Sequence, residues 1–368
     1  MRVLQINKLY YPFTGGVEQV AYDISNELSN KLNMNVLVAN DKFKKSTENI
    51  NGTKVIRSSS LGRYFSMPVA PKFPLELKNM DADIYHYHLP FPLGVVSDLL
   101  VNPKGKKIVT WHSDIIKQKN ILKLYKPFLK RFLNRVDKIV TTSPNMIDNS
   151  PFLQEYKKKC TVIPLGVDPE DFRLTDYTKD KKKKIKNKYK KPIIFFVGRL
   201  VYYKGIEVLI KAMENIDAQL LIGGTGPLEG KLKGLVDSLK LNDNIDFLGF
   251  VKDENLSAYY HASEFFVLPS VASSEAFGIV QLEAQACGKP VISTNLPTGV
   301  PFANKDKKTG IVVEPNSVDQ LHYAIKKLLN DNSLRSQLGK NAKKRVNEKF
   351  TLEKMGESYF NLYNDLLK

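Results

Sequence analysis

A chain of 368 residues, 42% hydrophobic and 26% charged, is long enough for two cores and too apolar to be disordered. Its formal charge of +18, from 56 Lys and Arg against 38 Asp and Glu, favours partners that carry phosphate: nucleic acid, anionic lipid or nucleotide. No long uncharged apolar run marks a transmembrane helix, and the two distant cysteines, Cys160 and Cys287, fit a reducing cytoplasm and match no metal site.

The opening residues read as a strand, RVLQIN, and not as a signal peptide. The loop PFTGG follows, then a helix in GGVEQVAYDISNELSNKL with Val17, Val20, Ala21, Ile24 and Leu28 on one stripe. Gly15 and Gly16 let a ligand approach the backbone where a helix start favours an anion; a plain turn is the competing reading. Short strands follow in NVLVAN, DIYHYH, KIVTWH, KIVTTS and CTVIPLG. Asp81-Ala-Asp83 spells a D-x-D, but it leads into a strand, so Asp83 reads as a strand-start residue and not a metal ligand. His86 and His88 alternate and share a face, where cleft lining or packing is favoured over metal binding.

Residues 117–135, KQKNILKLYKPFLKRFLNR, interleave Ile121, Leu122, Leu124, Tyr125, Phe128, Leu129, Phe132 and Leu133 with lysines and arginines. This basic amphipathic helix suits either an anionic membrane surface or a sheet beneath it, and Pro127 is expected to kink or split it. The run Asp180–Lys191, DKKKKIKNKYKK, breaks the alternation. A second series then begins: PIIFFVG, helix GIEVLIKAMENI, AQLLIGG, helix PLEGKLKGLVDSL, IDFLGF, helix ENLSAYYHA, EFFVLPS, helix IVQLEAQAC, PVIST, GIVVEP and helix VDQLHYAIKKLL. Apolar strands alternating with amphipathic helices mean parallel sheets covered on both faces, hence two doubly wound α/β domains with ligands at the carboxyl ends of strands.

Three strand-end loops of the second series carry candidate chemistry. FFVGRLVYYKG places Arg199 and Lys204 as a diphosphate clamp. LLIGGTGPLEG, with Gly224, Gly226 and Gly230, misses the dinucleotide spacing, and Asp246 begins a strand where that site's acid would end one. In SSEAFGIVQLEAQACGKPV, Glu275 lies in the loop, the helix starts near Gly278, and Glu283 sits about a turn and a half inside it, at ~3.6 residues per turn. Ile279, Val280, Leu282, Ala284 and Ala286 are too apolar for a solvated face, so the two carboxylates bracket a phosphate seat and can accept hydroxyl hydrogens of a sugar or ribose.

The stretch SSEAFGIVQLEAQACGKPV resembles the E-x7-E signature of retaining glycosyltransferases with the GT-B fold, family 4 in particular. FFVGRLVYYKG, IGGTGP, GGVEQVA and VTWHSDI match the same family in the same order. The resemblance spans nearly the whole chain. It implies two Rossmann-like doubly wound parallel-sheet domains facing a cleft: an acceptor domain over 1–170, a donor domain over 171–351, and a C-terminal helix 352–368 packing back on the first. It implies that Glu283 binds the donor ribose and Glu275 holds hydroxyls of the transferred sugar. Backbone N–H groups of Phe277, Gly278 and Ile279 face sugar and phosphate, and Gly224 belongs to the donor site. Arg199 and Lys204 neutralise the diphosphate, joined by the Gly15–Gly16 loop. His112, structural on its own showing, is placed near the anomeric centre, with Asp114 close by; Phe250 and Val251 lie where the base rests. No metal or other cofactor is expected.

The implied enzyme is a hexosyltransferase of the EC 2.4 class. It moves a hexose from a nucleotide-diphosphate sugar to a glycan or polyprenyl-diphosphate-linked oligosaccharide, in the synthesis of a surface polysaccharide such as the O-antigen of lipopolysaccharide. GDP-mannose is preferred, because TWHSDI and TTSPNMIDNSP resemble mannosyltransferases of polysaccharide clusters; a UDP-sugar stays open. The expected location is cytoplasmic and peripheral at the inner face of the membrane. The alternatives are a non-hydrolysing sugar-nucleotide epimerase of the same fold, which lacks this glutamate pair, and a basic nucleic-acid binder. Base-stacking motifs for the latter are missing, so no specific nucleic acid is expected.

Overall fold

The computed structural model describes residues 1–13, 15–64, 67–114 and 119–368. The chain forms two compact units, Met1–Pro164 with Leu352–Lys368, and Leu165–Thr351.

The first unit contains β1 (Arg2–Ile6), α1 (Gly16–Leu28), β2 (Asn33–Ala39), β3 (Ser46–Ile50), β4 (Thr53–Ser58), the two-residue strands β5 (Arg63–Tyr64) and β6 (Met67–Pro68), α2 (Phe73–Lys78) and β7 (Ile84–Leu89). It continues with α3 (Pro92–Val101), β8 (Lys106–Trp111), α4 (Lys119–Arg135), β9 (Lys138–Thr141), α5 (Pro144–Asn149) and β10 (Cys160–Val162). Its sheet runs β10-β9-β8-β7-β1-β2-β4-β3, parallel except for β3. Every residue of β7 is buried, as a strand covered on both faces requires. The edge strand β3, STENI, is polar and mostly exposed, which blunts an unpaired edge. The sheet order reverses between β1 and β7, and the Gly15–Gly16 turn follows β1 there.

The D-x-D lies at the opposite, amino-terminal end of these strands. Asp83 accepts the Arg2 backbone N–H at 2.7 Å and its guanidinium at 2.8 Å, and Asp81 takes the other arm at 2.5 Å. These acids tie β1 to β7.

The second unit contains α6 (Asp176–Lys188), β11 (Ile193–Val197), α7 (Ile206–Ala212), β12 (Gln219–Gly223), α8 (Glu229–Ser238), β13 (Ile245–Gly249), α9 (Asp253–Ala262) and β14 (Phe265–Leu268). After these come α10 (Val280–Ala286), β15 (Val291–Thr294), α11 (Val300–Ala303), β16 (Gly310–Val313), α12 (Val318–Asn330) and α13 (Asn332–Lys349). The sheet is wholly parallel in the order β13-β12-β11-β14-β15-β16. Numbered within the unit, that is the Rossmann order 3-2-1-4-5-6, with its switch point between β11 and β14. The closing helix α14 (Leu352–Leu367) belongs to the first unit, against α1, where Gly356 lets it meet Glu27.

Two expectations change. The lysine run at 180–191 is no break: residues to 188 form most of α6, because Thr175 Oγ1 caps Thr178 N–H at 3.2 Å and lysine is a good helix former. Ile185 and Tyr189 anchor it on the core. Tyr189 and Lys188 hold Asp246 at 2.6 and 3.2 Å, so that acid serves packing. In addition, α4 runs through Pro127 unbroken. Lys123, whose carbonyl loses its partner, and Pro127 are both exposed, so water can replace the missing bond.

Candidate functional site

In the second unit the site is built on the switch point. The loop after β11 carries Arg199 and a single 3-10 turn, Tyr202–Lys204; the loop after β14 carries Glu275. Because β11 and β14 are neighbours, the loops meet. Gly205, with φ +66°, lies so close to Pro269 that a Cβ would stand 2.0 Å from its carbonyl oxygen. That approach brings the Lys204 ammonium to 2.6 Å from Glu275 Oε2, which also accepts Ser270 Oγ at 3.0 Å. Both charged side chains are about nine-tenths buried. Burial works against the Lys204 charge, but Glu275 outweighs it and holds the ammonium proton more tightly than in free lysine. Arg199 is exposed and has no carboxylate partner among the described residues.

Helix α10 begins at Val280, two residues later than the sequence suggests. Gly278 is the reason: its φ of +71° is not helical, and a Cβ there would lie 2.4 Å from Leu268. Glu283 is therefore in the first turn of α10 and not a turn and a half inside it. The backbone N–H groups of Phe277, Gly278 and Ile279 meet no acceptor among the described residues. The Phe277 ring is core, packed on Phe350, so only its backbone is available to a ligand.

Glu283 Oε2 stands 2.7 Å from the hydroxyl of Tyr260, a fully buried residue of α9. Burial pushes the Glu283 carboxyl up to about 7, against the pull of the Tyr260 bond; Asp253 adds to the rise and Lys204 opposes it. The Tyr260 oxygen also lies 3.2 Å from the Val280 carbonyl. The phenol donates, and its one proton faces both the Glu283 carboxylate and the Val280 carbonyl. Tyr260 was not legible as a site residue, because its ring is set among Phe195, Phe266 and Phe172 like any core aromatic.

Gly224, with φ +117°, touches Gly198: a Cβ would lie 2.0 Å from the Gly198 carbonyl oxygen. This joins the loops after β12 and β11. After β13, Phe250 is 75% exposed, and Val251 packs over Gly223.

In the first unit, Gly15 precedes α1 in extended conformation, and a side chain at Gly16 would enter open space. Thr14, between the quoted proline and these glycines, lies outside the described residues. His112 follows β8, its N–H bound to the Leu89 carbonyl at 3.0 Å. Its Nε2 lies 3.0 Å from His88 Nδ1, and His88 Nε2 lies 2.6 Å from Gln5 Oε1. His86 stacks on His88 at 4.5 Å and reaches Thr110 and Tyr363 at 2.7 and 2.8 Å. Burial lowers all three histidines, His86 and His112 to about 3. Asp114 accepts Trp111 Nε1 at 2.9 Å and Ser150 Oγ at 2.6 Å, so it fixes its own loop. His261 and His322 bind backbone carbonyls of Phe172 and Ala212 and are structural. Among the described residues no cluster of His, Cys, Asp and Glu is arranged to hold a metal ion, and no helix is long and apolar enough to cross a membrane.

Two Rossmann-like sheets, with cations and carboxylates gathered at the switch point of the second, define the GT-B class. The solved sucrose-phosphate synthase from Thermosynechococcus elongatus has this fold: it matches with a TM-score of 0.83 at 23% identity, over 100% of this chain and 99% of that one. Residues 14–171 match the family described as Glycosyltransferase Family 4, and residues 178–345 match Glycosyl transferases group 1. O-antigen chain mannosyltransferase C of Escherichia coli is 35% identical over 377 residues, covering 100% of this chain and 99% of that protein. D-rhamnosyltransferase WbpZ of Pseudomonas aeruginosa is 35% identical over 362 residues, covering 95% and 92%. The chain belongs to the family 4, group 1 glycosyltransferases.

Proposed function

We propose that this glycosyltransferase moves mannose, with retention, from GDP-mannose to a glycan or polyprenyl-diphosphate-linked oligosaccharide during O-antigen or related surface polysaccharide synthesis, without a metal. The observation that carries the chemistry is the buried Lys204–Glu275 pair at the switch point, with Glu283 in the adjoining helix turn. Lys204 and Arg199 face the diphosphate. Glu275 accepts sugar hydroxyls and Glu283 accepts the ribose diol. The N–H groups of Phe277, Gly278 and Ile279, without an acceptor among the described residues, take phosphate or sugar oxygens. Phe250 offers its exposed ring to the base. The family resemblance assigns Gly15 and Gly16 to the diphosphate and His112 to the sugar. The sugar–phosphate bond breaks as the acceptor oxygen bonds to the anomeric carbon on the same face, and the departing phosphate takes the acceptor's proton. Lysine and arginine supply the positive charge that a metal would otherwise bring.

The manno choice rests on the two relatives, whose names specify mannose and its 6-deoxy form, D-rhamnose. GDP is expected to raise the melting temperature more than UDP. At about 100 times its Kd a ligand adds ~2.7 kcal/mol. Labelled GDP-mannose should then give product only when a glycan acceptor is present. No shift with either nucleotide rejects the site, a larger shift with UDP moves the donor to a UDP-sugar, and acceptor-independent conversion means isomerisation.

Attachment to the inner membrane surface belongs to the same proposal. Residue 117 lies outside the described residues, and of helix 119–135 the inward Tyr125, Leu129, Phe132 and Leu133 are buried, so packing on the sheet accounts for that face. The outward face keeps Leu124 and Phe128, 78% and 50% exposed, among the exposed Lys123, Lys126 and Arg131. Apolar groups ringed by cations fit an anionic bilayer, at about 1 kcal/mol per basic residue near the surface. Flotation with anionic vesicles at low salt should carry the protein, and Leu124→Glu with Phe128→Glu should leave it behind. A wild-type chain that does not float removes the membrane from the proposal.

A further inference from the structure

Three neighbouring strands of the first unit converge on His112. Gln5 is on β1, His88 on β7, and His112 directly follows β8. Gln5 and His88 are fully buried and His112 nearly so. They form one line of contacts, whose far end is fixed by a group that can only accept.

That group is the Ala21 carbonyl of α1. Gln5 Nε2 donates to it at 3.1 Å, and its second hydrogen goes to Ser25 Oγ at 2.7 Å. The Gln5 amide therefore has its nitrogen toward α1 and its Oε1 toward His88. Oε1 can only accept, so His88 Nε2 carries a proton. With one proton on the ring, His88 Nδ1 is an acceptor, and His112 Nε2, 3.0 Å away, is the donor. The ring planes of His88 and His112 are within 20° of parallel, with centroids 5.3 Å apart. A neutral His112 then carries its lone pair on Nδ1. Burial without a facing carboxylate in this line keeps both rings neutral, consistent with the lowered pKa of each. His86 takes no part: its two nitrogens are occupied by Thr110 and Tyr363.

We infer that His88 and Gln5 are positioning residues that hold His112 as its Nε2–H tautomer, so that it meets the donor sugar with Nδ1 as a hydrogen-bond acceptor for a sugar hydroxyl. The inference rests on the reading that His112 faces the transferred sugar. It assigns the orientation of the bond: the hydroxyl donates and the imidazole accepts. It also gives His112 no proton to lose at its working nitrogen, so it acts neither as acid nor as cation beside an anomeric centre that is gaining positive charge.

The tautomer is measured on the full chain with 15N-labelled histidine. His112 is expected to show a protonated Nε2 and an unprotonated Nδ1, unchanged from pH 6 to pH 8. His88→Phe should mix the two tautomers and lower kcat roughly tenfold, about one hydrogen bond's worth of transition-state interaction, while donor KM stays within about twofold. Gln5→Glu sets a carboxylate against His88 and favours its doubly protonated ring, whose Nδ1 then donates, so His112 should move toward the Nδ1–H tautomer and kcat should fall. A proton on Nδ1 in the unmodified protein overturns the inference, as does His88→Phe with unchanged kcat. Should that variant not fold, the wild-type spectrum decides alone. A chain with the expected tautomer that transfers no hexose from any nucleotide sugar counts against the hexosyltransferase reading and leaves the relay standing.

Discussion

Lys204→Ala should lower kcat/KM for the nucleotide sugar by about 10²–10³-fold, the usual cost of removing one fixed charge or donor from a developing oxyanion. The same change should destabilise the second unit. Glu275 is buried, and without Lys204 its carboxylate keeps Ser270 alone. Breaking a buried pair from one side costs roughly 3–5 kcal/mol, because the remaining charge is stranded. The two losses separate in the double variant Lys204→Met with Glu275→Gln. It removes both charges at similar volume, so stability should return while activity stays low. Denaturation midpoints and steady-state rates on the three proteins read the outcome. A Lys204→Ala enzyme with full turnover would exclude the lysine from the diphosphate site. Glu275→Ala should reduce turnover more than nucleotide affinity, because the acid is assigned to the sugar and not to the nucleotide.

Glu283→Gln should weaken nucleotide binding roughly tenfold, by replacing a charged acceptor with a neutral one, and yet stabilise the protein above neutral pH. The folded carboxyl keeps its proton to about pH 7, whereas the ordinary value is 4.5. Between these values the folded state binds more protons than the unfolded one. Stability from this group therefore falls as pH rises from about 4.5 to 7, and is flat above that. The full cost at pH 8 is on the order of 3 kcal/mol for a shift of this size. Glutamine has no charge to bury, so its gain over wild type should be present at pH 8 and small at pH 5. Donor affinity should show the converse. In the wild type it should rise with pH toward 7, as the carboxylate proposed to accept the ribose hydroxyls becomes populated; in Glu283→Gln it should be flat. Tyr260→Phe tests the partner: without the phenol the Glu283 carboxyl should titrate higher still, since the Tyr260 bond lowers it. A pH-independent nucleotide Kd in the wild type would show that ionisation of Glu283 does not control binding.

Most of the architecture is written in local pattern. Strands such as PIIFFVG and EFFVLPS are apolar throughout and bounded by turn residues, and the structure buries them in parallel sheets. The candidate site was legible where it rests on strand-end loops, since Arg199, Lys204 and Glu275 each follow an obvious strand. What was hidden depends on register or on packing at a distance. The lysines of α6 carry almost no apolar period, and only Ile185 and Tyr189 touching a core make them a helix. The edge pair β3–β4 is held by STENI, a segment with no hydrophobic alternation to announce it. Nothing near Gln5 in sequence says that it lies beside His88, 83 positions away; that follows from β1 pairing with β7. Tyr260 was invisible for a different reason. A ring on a core-facing helix position looks the same whether or not its hydroxyl reaches a carboxylate.

The placement of α14 bears on the order in which the chain can acquire structure. Residues 165–351 form one unbroken stretch, whereas the first unit needs both 1–164 and 352–368. Tyr359 and Tyr363 reach from α14 to Thr110 and His86 at 2.9 and 2.8 Å, so the buried His86 Nδ1 gains its Tyr363 partner only when the helix arrives. On a ribosome adding about 5–20 residues per second, the first unit is begun first but completed last, after the second unit has had every residue it needs. For a nascent chain, the amino-terminal sheet is the late-maturing part of the protein, and His86 meets its tyrosine neighbours only when the final helix arrives.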